Sequence, residues 1–281
     1  MSVFVVVIVL IAALMHALWN ALVKGSGDQT VVLGLIALGH VIPGAFLVLS
    51  LPFPAQESWP YIFASTVIHW GYYYLLNMAY RSGDLSIIYP IARGAAPLLI
   101  AVGAWVWIGE TLPLTSWIGI GAISFGIFLL SRPSAVAHVP RSGILAAFGA
   151  AVTVAAYSIA DGTGVRASGH ALAYVGWLFL AEIFVAAYVL SSRWTRFRKL
   201  GVRKALIGFA GGVISGAAYA LALYAKTLAP LGLVSAMRET SVIFAALIGV
   251  AWFKEGPAQR RMLAAMVVTA GVVLIAFNGT H

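Results

Sequence analysis

The sequence has no cysteine, so disulfides, thiol nucleophiles and thiolate-held metals are excluded, and nothing in it reports a redox compartment. Charge is also scarce. Asp, Glu, Lys and Arg make up 9% of the 281 residues, against about 25% in a soluble domain, too little to keep a surface wet. No glycine-rich loop ending in Lys-Ser or Lys-Thr occurs, which argues against ATP hydrolysis as an energy source. His and carboxylate residues nowhere recur at the i, i+3 or i, i+4 spacing, with further ligands, that a metal site needs; neither metal nor cofactor is expected. Acidic residues number 8 against 17 Lys and Arg. The resulting charge of +9 could suggest nucleic acid, but the basic residues sit in the breaks between apolar runs, so orientation in a membrane explains them and no nucleic-acid partner is expected.

Apolar side chains, by contrast, make up 62% of the chain. They fall in consecutive runs of roughly 20 residues, the length that spans a bilayer core. The runs cover 3–23, 30–51, 61–80, 85–108, 114–131, 142–164, 170–191, 203–226, 231–253 and 259–278. The first lacks a basic n-region and is too long for a signal h-region, so it reads as a spanning helix. On the face reached after the odd-numbered runs lie thirteen Lys and Arg residues, among them Lys24, Arg81, Arg132, Arg193, Lys254 and Arg260. The other face has only Arg166 and Lys226, while Arg93 and Arg238 fall inside runs. Because basic loop residues stay cytoplasmic, both termini are expected outside the cytoplasm.

Displacing the chain by 145 residues superposes Tyr74 on Tyr219, Arg81 on Lys226, Arg93 on Arg238, Glu110 on Glu255 and Gly126 on Gly271. Two related units of five spans each must insert with opposite orientation, the inverted-repeat plan of secondary transporters. The units are 1–133 and 142–281, with a linker at 134–141. The segments YRSGDLSIIYPIARGAAPLLIAVGAWVWIGE from Tyr80 to Glu110, KTLAPLGLVSAMRETSVIFAALIGVAWFKE from Lys226 to Glu255, and HALWNALVK from His16 to Lys24 resemble EamA-type units of the drug/metabolite transporter superfamily. The resemblance implies an all-α integral membrane fold of ten helices, a central cavity lined largely by helices 1, 3, 4, 6, 8 and 9, and alternating access. Several members of that superfamily keep both termini in the cytoplasm, whereas the charge tally here argues for the opposite. A multi-pass protein of the cell membrane, most simply a bacterial inner membrane, is expected, as a monomer or a homodimer.

Ionisable side chains inside the bilayer cost at least about 2.5 to 3.5 kcal/mol each and mark sites of function or pairing. Arg93 and Arg238 each lie roughly 10 to 12 Å from the end of their run at 1.5 Å per residue. Their guanidinium groups can bind a carboxylate or similar anion, or can pair internally with Asp161, Glu182 or Glu239. Trp19, Asn20, Tyr73, Tyr89, Tyr157 and Tyr219 are the further candidates for substrate contact. Asp161, Glu182, Glu239 and His69 are candidates for carrying a coupling proton or holding an amine. Glu182 has no polar neighbour within four positions. Glu239 stands about 100° around the helix from Arg238, so one of the two faces a cavity and the other the packing. His16 and His40 titrate in a useful range but read more simply as structural donors. Glu110 and Glu255 close their runs as a turn or gate, and Gly119, Gly121, Gly126 and Gly271 allow close helix approach.

The expected activity is secondary transport of a small organic solute carrying a carboxylate or similar group, as in amino-acid-like metabolites, with protons or another ion as coupling partner. Export of lipophilic or cationic drugs is the alternative, with Asp161, Glu182 and the aromatics as the site. Intramembrane catalysis is the distant third, since Ser158 and Ser86 have no histidine at useful spacing.

Overall fold

The structure, a computed structural model, describes residues 1–24, 28–82, 85–130, 140–251 and 258–277. No strand occurs among them. The helices are α1 Val3–Val23, α2 Gln29–Ser50, α3 Trp59–Ser82, α4 Leu85–Gly103, α5 Leu114–Phe128, α6 Arg141–Ala167 and α7 Ala171–Leu180, then α8 Ile183–Ser192, α9 Trp194–Lys199, α10 Val202–Leu228, α11 Leu231–Arg238, α12 Ser241–Ala251 and α13 Ala258–Phe277. A π-turn, Ala104–Ile108, extends α4. Local chemistry sets the starts. The Asp28 carboxylate accepts the Thr30 and Val31 N–H groups at 3.1 and 3.3 Å and so caps α2. Helices α5, α6 and α11 begin directly after Pro113, Pro140 and Pro230, whose fixed φ suits a helix entry and whose missing N–H is no loss there.

Among the described residues, eight helical stretches are long and apolar enough to cross a bilayer. Two of the expected ten spans differ. Helix α3 has 24 residues but carries His69, a run of tyrosines and Arg81, and α5 has only 15, about 22 Å at 1.5 Å per residue against a core of roughly 30 Å. The expected continuous run at 170–191 is broken into α7 and α8 at Ala181–Glu182, and that at 231–253 into α11 and α12 at Glu239–Thr240. Neither break contains proline or glycine. Tight i→i+3 bonds bridge them, from Glu182 N–H to the Phe179 carbonyl (3.1 Å) and from Glu239 and Thr240 N–H to the Ala236 and Met237 carbonyls (both 3.0 Å).

Helices α3 and α4 pack on α6, α1 packs on α10, α11 and α12, α2 lies against α7, α8 and α10, and α5 pairs with α13. The surface is inverted relative to a water-soluble protein. Leu49, Trp107 and Phe63 are exposed by 87%, 79% and 73%, while Asp161, Lys226, Arg238 and Glu239 are buried. Apolar outside and charge inside is the arrangement of a multi-pass chain whose surrounding solvent is hydrocarbon.

Two glycine crossings bring backbones together. A Cβ on Gly271 would meet the Gly119 carbonyl oxygen at 2.6 Å, and one on Gly212 would meet that of Ile36 at 2.4 Å, with Gly39 alongside. Gly126 packs on Val268 of α13, whereas Gly121 faces open space and serves no crossing. Because backbone cannot yield as a side-chain tip can, Gly212→Val should cost about 3 kcal/mol or more, and Gly121→Ala should stay within about 0.5 kcal/mol. Thermal melts of the two purified variants check this pair, and equal melting temperatures would contradict the crossing.

Candidate functional site

The interior opens into a cavity of about 170 Å³, counted as space open to the centres of water molecules. At the roughly 30 Å³ that one molecule takes up in liquid water, that is room for on the order of half a dozen waters, the size of a small organic solute. Its walls come from α1 (His16, Trp19), α2 (His40), α3 (His69, Trp70), α4 (Arg93), α6 (Tyr157), the α7–α8 break (Glu182), α10 (Ser215, Tyr219) and α11 (Arg238). Both helix breaks reach this region. An interrupted helix frees backbone groups and turns polar side chains aside, so a break inside a membrane is tolerated where protein or a polar cavity receives it.

The two arginines differ. Arg93 Nη2 lies 3.0 Å from Glu239 Oε2, an ion pair that joins α4 to the α11–α12 break. Its two atoms are not aligned for a hydrogen bond. Arg238 is 8% exposed, and among the described residues no carboxylate lies within 4 Å of its guanidinium. Its Nε is buried without a hydrogen-bond partner, and its charge stands 5.8 Å above the ring of Tyr219. Of the adjacent pair, Arg238 faces the cavity and Glu239 the packing.

Other candidates sort themselves by geometry. Trp19 lines the cavity and donates its indole N–H to His16 Nδ1 at 3.3 Å. Asn20 does not; it is exposed and its amide bonds back to the His16 carbonyl at 2.7 Å, because one helical turn carries it past the cavity edge. Asp161 is fully buried behind the wall, where the hydroxyls of Tyr174 (2.9 Å) and Tyr219 (2.5 Å) donate to its two oxygens. Tyr157 stacks on His69 at 4.0 Å between ring centroids, and the His69 Nδ1–H bonds the Ser65 carbonyl at 2.8 Å. Tyr74, which the 145-residue displacement superposes on Tyr219, points outward and is exposed. The side chains of Tyr73 and Tyr89, and all of Glu255, lie outside the described residues.

Glu182 has a partner that the sequence did not suggest. His40 Nδ1 is 2.9 Å from Glu182 Oε2, His40 Nε2 is 2.6 Å from Ser215 Oγ, and the imidazole stacks on Phe179 at 4.9 Å. Among the described residues no arginine pairs with Glu182. The only trace in the sequence is that a carboxylate isolated on an apolar helix must find a donor elsewhere. Ser215 left no trace at all, standing among small residues with no charged neighbour.

Away from the cavity, Glu110 forms a brace. Gly109 at φ 74 turns the chain after the π-turn in a conformation that suits glycine. Glu110 then receives Arg166 Nη1 at 2.7 Å and the Leu231 N–H at 2.8 Å. Arg166 also donates to the carbonyls of Lys226 (2.7 Å) and Ala229 (2.9 Å), and Lys226 Nζ bonds the Ser158 carbonyl at 3.0 Å.

An apolar exterior wrapped around a charged, aromatic-lined cavity defines a membrane transport protein. Residues 141–277 match the profile of the EamA-like transporter family. A 75-residue stretch is 33% identical to the quaternary ammonium compound-resistance protein QacF of Klebsiella aerogenes, covering 26% of this chain and 68% of that protein. A crystal structure of a protein superposes with a TM-score of 0.74 over 99% of this chain and 98% of its own, at 18% identity, a likeness of fold alone. The chain belongs to the EamA-type transporters of the drug/metabolite transporter superfamily, a family of transporters and not of enzymes. A small-molecule substrate and a surrounding bilayer follow from that membership.

The Arg93–Glu239 pair makes a specific prediction. Removing one member of a buried pair leaves the other charge uncompensated, at about 3 to 5 kcal/mol. Arg93→Gln should therefore lower stability by that order, and Arg93→Gln combined with Glu239→Gln should recover most of the loss. Denaturation of the single and double variants measures the coupling; additive losses would show that the pair is energetically inert.

Proposed function

We propose that this protein is a secondary transporter for a small organic solute bearing a carboxylate or similar anionic group, with Arg238 as the anchor for that group. One observation carries the reading: a buried guanidinium with no carboxylate beside it among the described residues lines an aromatic cavity. Such a charge is costly in an apolar surround until an anion neutralises it, and guanidinium offers a carboxylate two parallel donors. Trp19, Trp70, Phe179 and the stacked His69–Tyr157 pair supply flat apolar walls for the solute's body. Arg93, already paired off-axis to Glu239, is the second cation, available if an entering anion displaces that contact. Asp161, closed in by two tyrosine hydroxyls, is a support for Tyr219 in this reading and binds no amine.

Alternating access would follow from two five-helix units of opposite orientation, 1–133 and 142–281, joined by 134–141. Several packing pairs support that plan, since exchanging the units turns α1 on α10 into α6 on α3, and α1 on α11 and α12 into α6 on α4. The pairings of α2 with α7–α8 and of α5 with α13 map onto themselves. On this plan the two broken runs count as single spans, the total is ten, and the basic loops place both termini outside the cytoplasm.

The name of the Klebsiella relative favours a second reading, export of quaternary ammonium cations. Against it, the only carboxylate among the described lining residues, Glu182, is taken up by His40, and a cation would stand before Arg238, which has no carboxylate partner among the described residues. Thermal shift of the purified protein separates the two readings. A ligand at one hundred times its Kd stabilises by about 2.7 kcal/mol. A panel of aromatic and amino-acid carboxylates should contain a stabiliser whose amide is inert and whose effect disappears in Arg238→Gln. Stabilisation by tetraalkylammonium ions that survives or grows in Arg238→Gln would instead establish the cationic reading.

A further inference from the structure

We propose that His16 is a second ligand for the solute's anionic group, a neutral hydrogen-bond donor acting with Arg238, and that Trp19 holds it in the donating form. The proposal rests on the Arg238 reading and deepens it by naming the other half of the anion site. It reverses the roles that the bare sequence suggests for these residues, in which Trp19 touches substrate and His16 is structural.

One hydrogen bond fixes the ring. Trp19 Nε1 lies 3.3 Å from His16 Nδ1, and the two rings meet edge to face with 89° between their planes. The indole nitrogen has a hydrogen to give and no lone pair to receive one, so Nδ1 must be the bare, accepting nitrogen. The one hydrogen of the neutral ring is thereby placed on Nε2. Trp19 spends its only polar hydrogen in doing so, and what it offers a solute is the face of its ring. Among the described residues the His16 side chain has that bond alone, so its Nε2–H has no protein acceptor.

The helix puts this donor in the cavity wall. Ala12, His16 and Trp19 stand at i, i+4 and i+7 on α1 and all line the cavity, with His16 in the middle of the stripe. Helical side chains lean back towards the N-terminus, so the indole reaches over His16 and the imidazole lies over Ala12, where only a methyl group competes for the space. Ala13 and Ala17, on the adjacent face, are buried. Helix α1 packs on α11 and α12, and His16 stands in the electrostatic field of Arg93 and Arg238. Two donors without a protein acceptor among the described residues, Arg238 Nε and His16 Nε2–H, therefore belong to one cavity.

The other lining histidines are differently placed. His40 has both ring nitrogens engaged, by Glu182 and Ser215, and His69 turns its Nδ1–H to the Ser65 carbonyl. A carboxylate has lone pairs enough to accept from a guanidinium and an imidazole N–H together. A neutral donor adds that second bond without adding positive charge to a wall that already holds two guanidinium groups. A carboxamide, which presents an NH2 of its own, would set hydrogen against hydrogen, so the pair selects acids over amides.

The test uses full-length protein in lipid nanodiscs, labelled with 15N at histidine. Without solute, the resonance lost in His16→Gln should report a bare Nδ1 and a protonated Nε2. Trp19→Phe, which keeps an aromatic ring and removes the indole N–H, should let hydrogen appear on Nδ1. A protonated Nδ1 in the unaltered protein, or a Nδ1 indifferent to Trp19→Phe, would overturn the proposal. The panel of aromatic and amino-acid carboxylates is then added. A carboxylate that stabilises the protein should move the His16 Nε2 resonance and leave Nδ1 in place. Its Kd should rise about tenfold in His16→Phe and less in His16→Gln, whose amide restores a donor. The Nε2 shift is read in the unaltered protein, so it decides the matter even where His16→Phe does not fold. If a carboxylate binds and is lost in Arg238→Gln yet leaves Nε2 unmoved, His16 is no ligand and the Arg238 reading stands alone. If no carboxylate of the panel binds, the Arg238 reading fails and this contact fails with it.

Discussion

The structure is organised by the cost of keeping charge away from water. Arginine, aspartate, glutamate and lysine each cost several kcal/mol in an apolar surround unless partnered, and the interior holds Arg93, Asp161, Glu182, Lys226, Arg238 and Glu239. Each solution found for these charges joins elements distant in sequence. Arg93 to Glu239 ties α4 to the break after α11, Glu182 to His40 ties the break after α7 to α2, and Asp161 to Tyr219 ties α6 to α10. Without those partners the same side chains would destabilise the bundle. With them, they fix which helix faces meet, a specificity that apolar contacts between lipid-like surfaces supply poorly.

Arg238 is the exception, and the cavity owes its character to it. The helix break that follows it lets consecutive residues point apart, so Glu239 neutralises a neighbour in the packing while Arg238 remains for the cavity. Tyr219 connects both themes. Its hydroxyl is spent on Asp161, which holds the ring in place, and the ring's face sits beneath the Arg238 charge. Asp161 therefore acts on the cavity at one remove, through orientation.

At one end of the bundle the Glu110–Arg166 brace binds the turn after α4 to the end of α6 and the corner between α10 and α11. A carboxylate at the first free N–H of α11 also suits the positive end of that helix. Arg166 stays partly exposed, so water screens this ion pair and can replace its partners.

The membrane class, the positions of the runs and the residues worth watching were legible in the sequence, because hydrophobic length and the expense of buried charge are local properties. A run of apolar residues reads the same in any fold, and an arginine inside one needs explanation whatever surrounds it. Family resemblance was legible for the same reason, carried by contiguous segments such as Tyr80 to Glu110. Tertiary structure decided the rest: that Arg93 pairs with Glu239 while Arg238 has no carboxylate partner among the described residues, that Asn20 and Asp161 stand off the cavity, that two runs break without proline or glycine, and that His40 reaches both Glu182 and Ser215. Those outcomes depend on which charge finds which donor across 142 or 175 positions of chain. Spacing along one helix carries no information about a partner on another until the helices are packed.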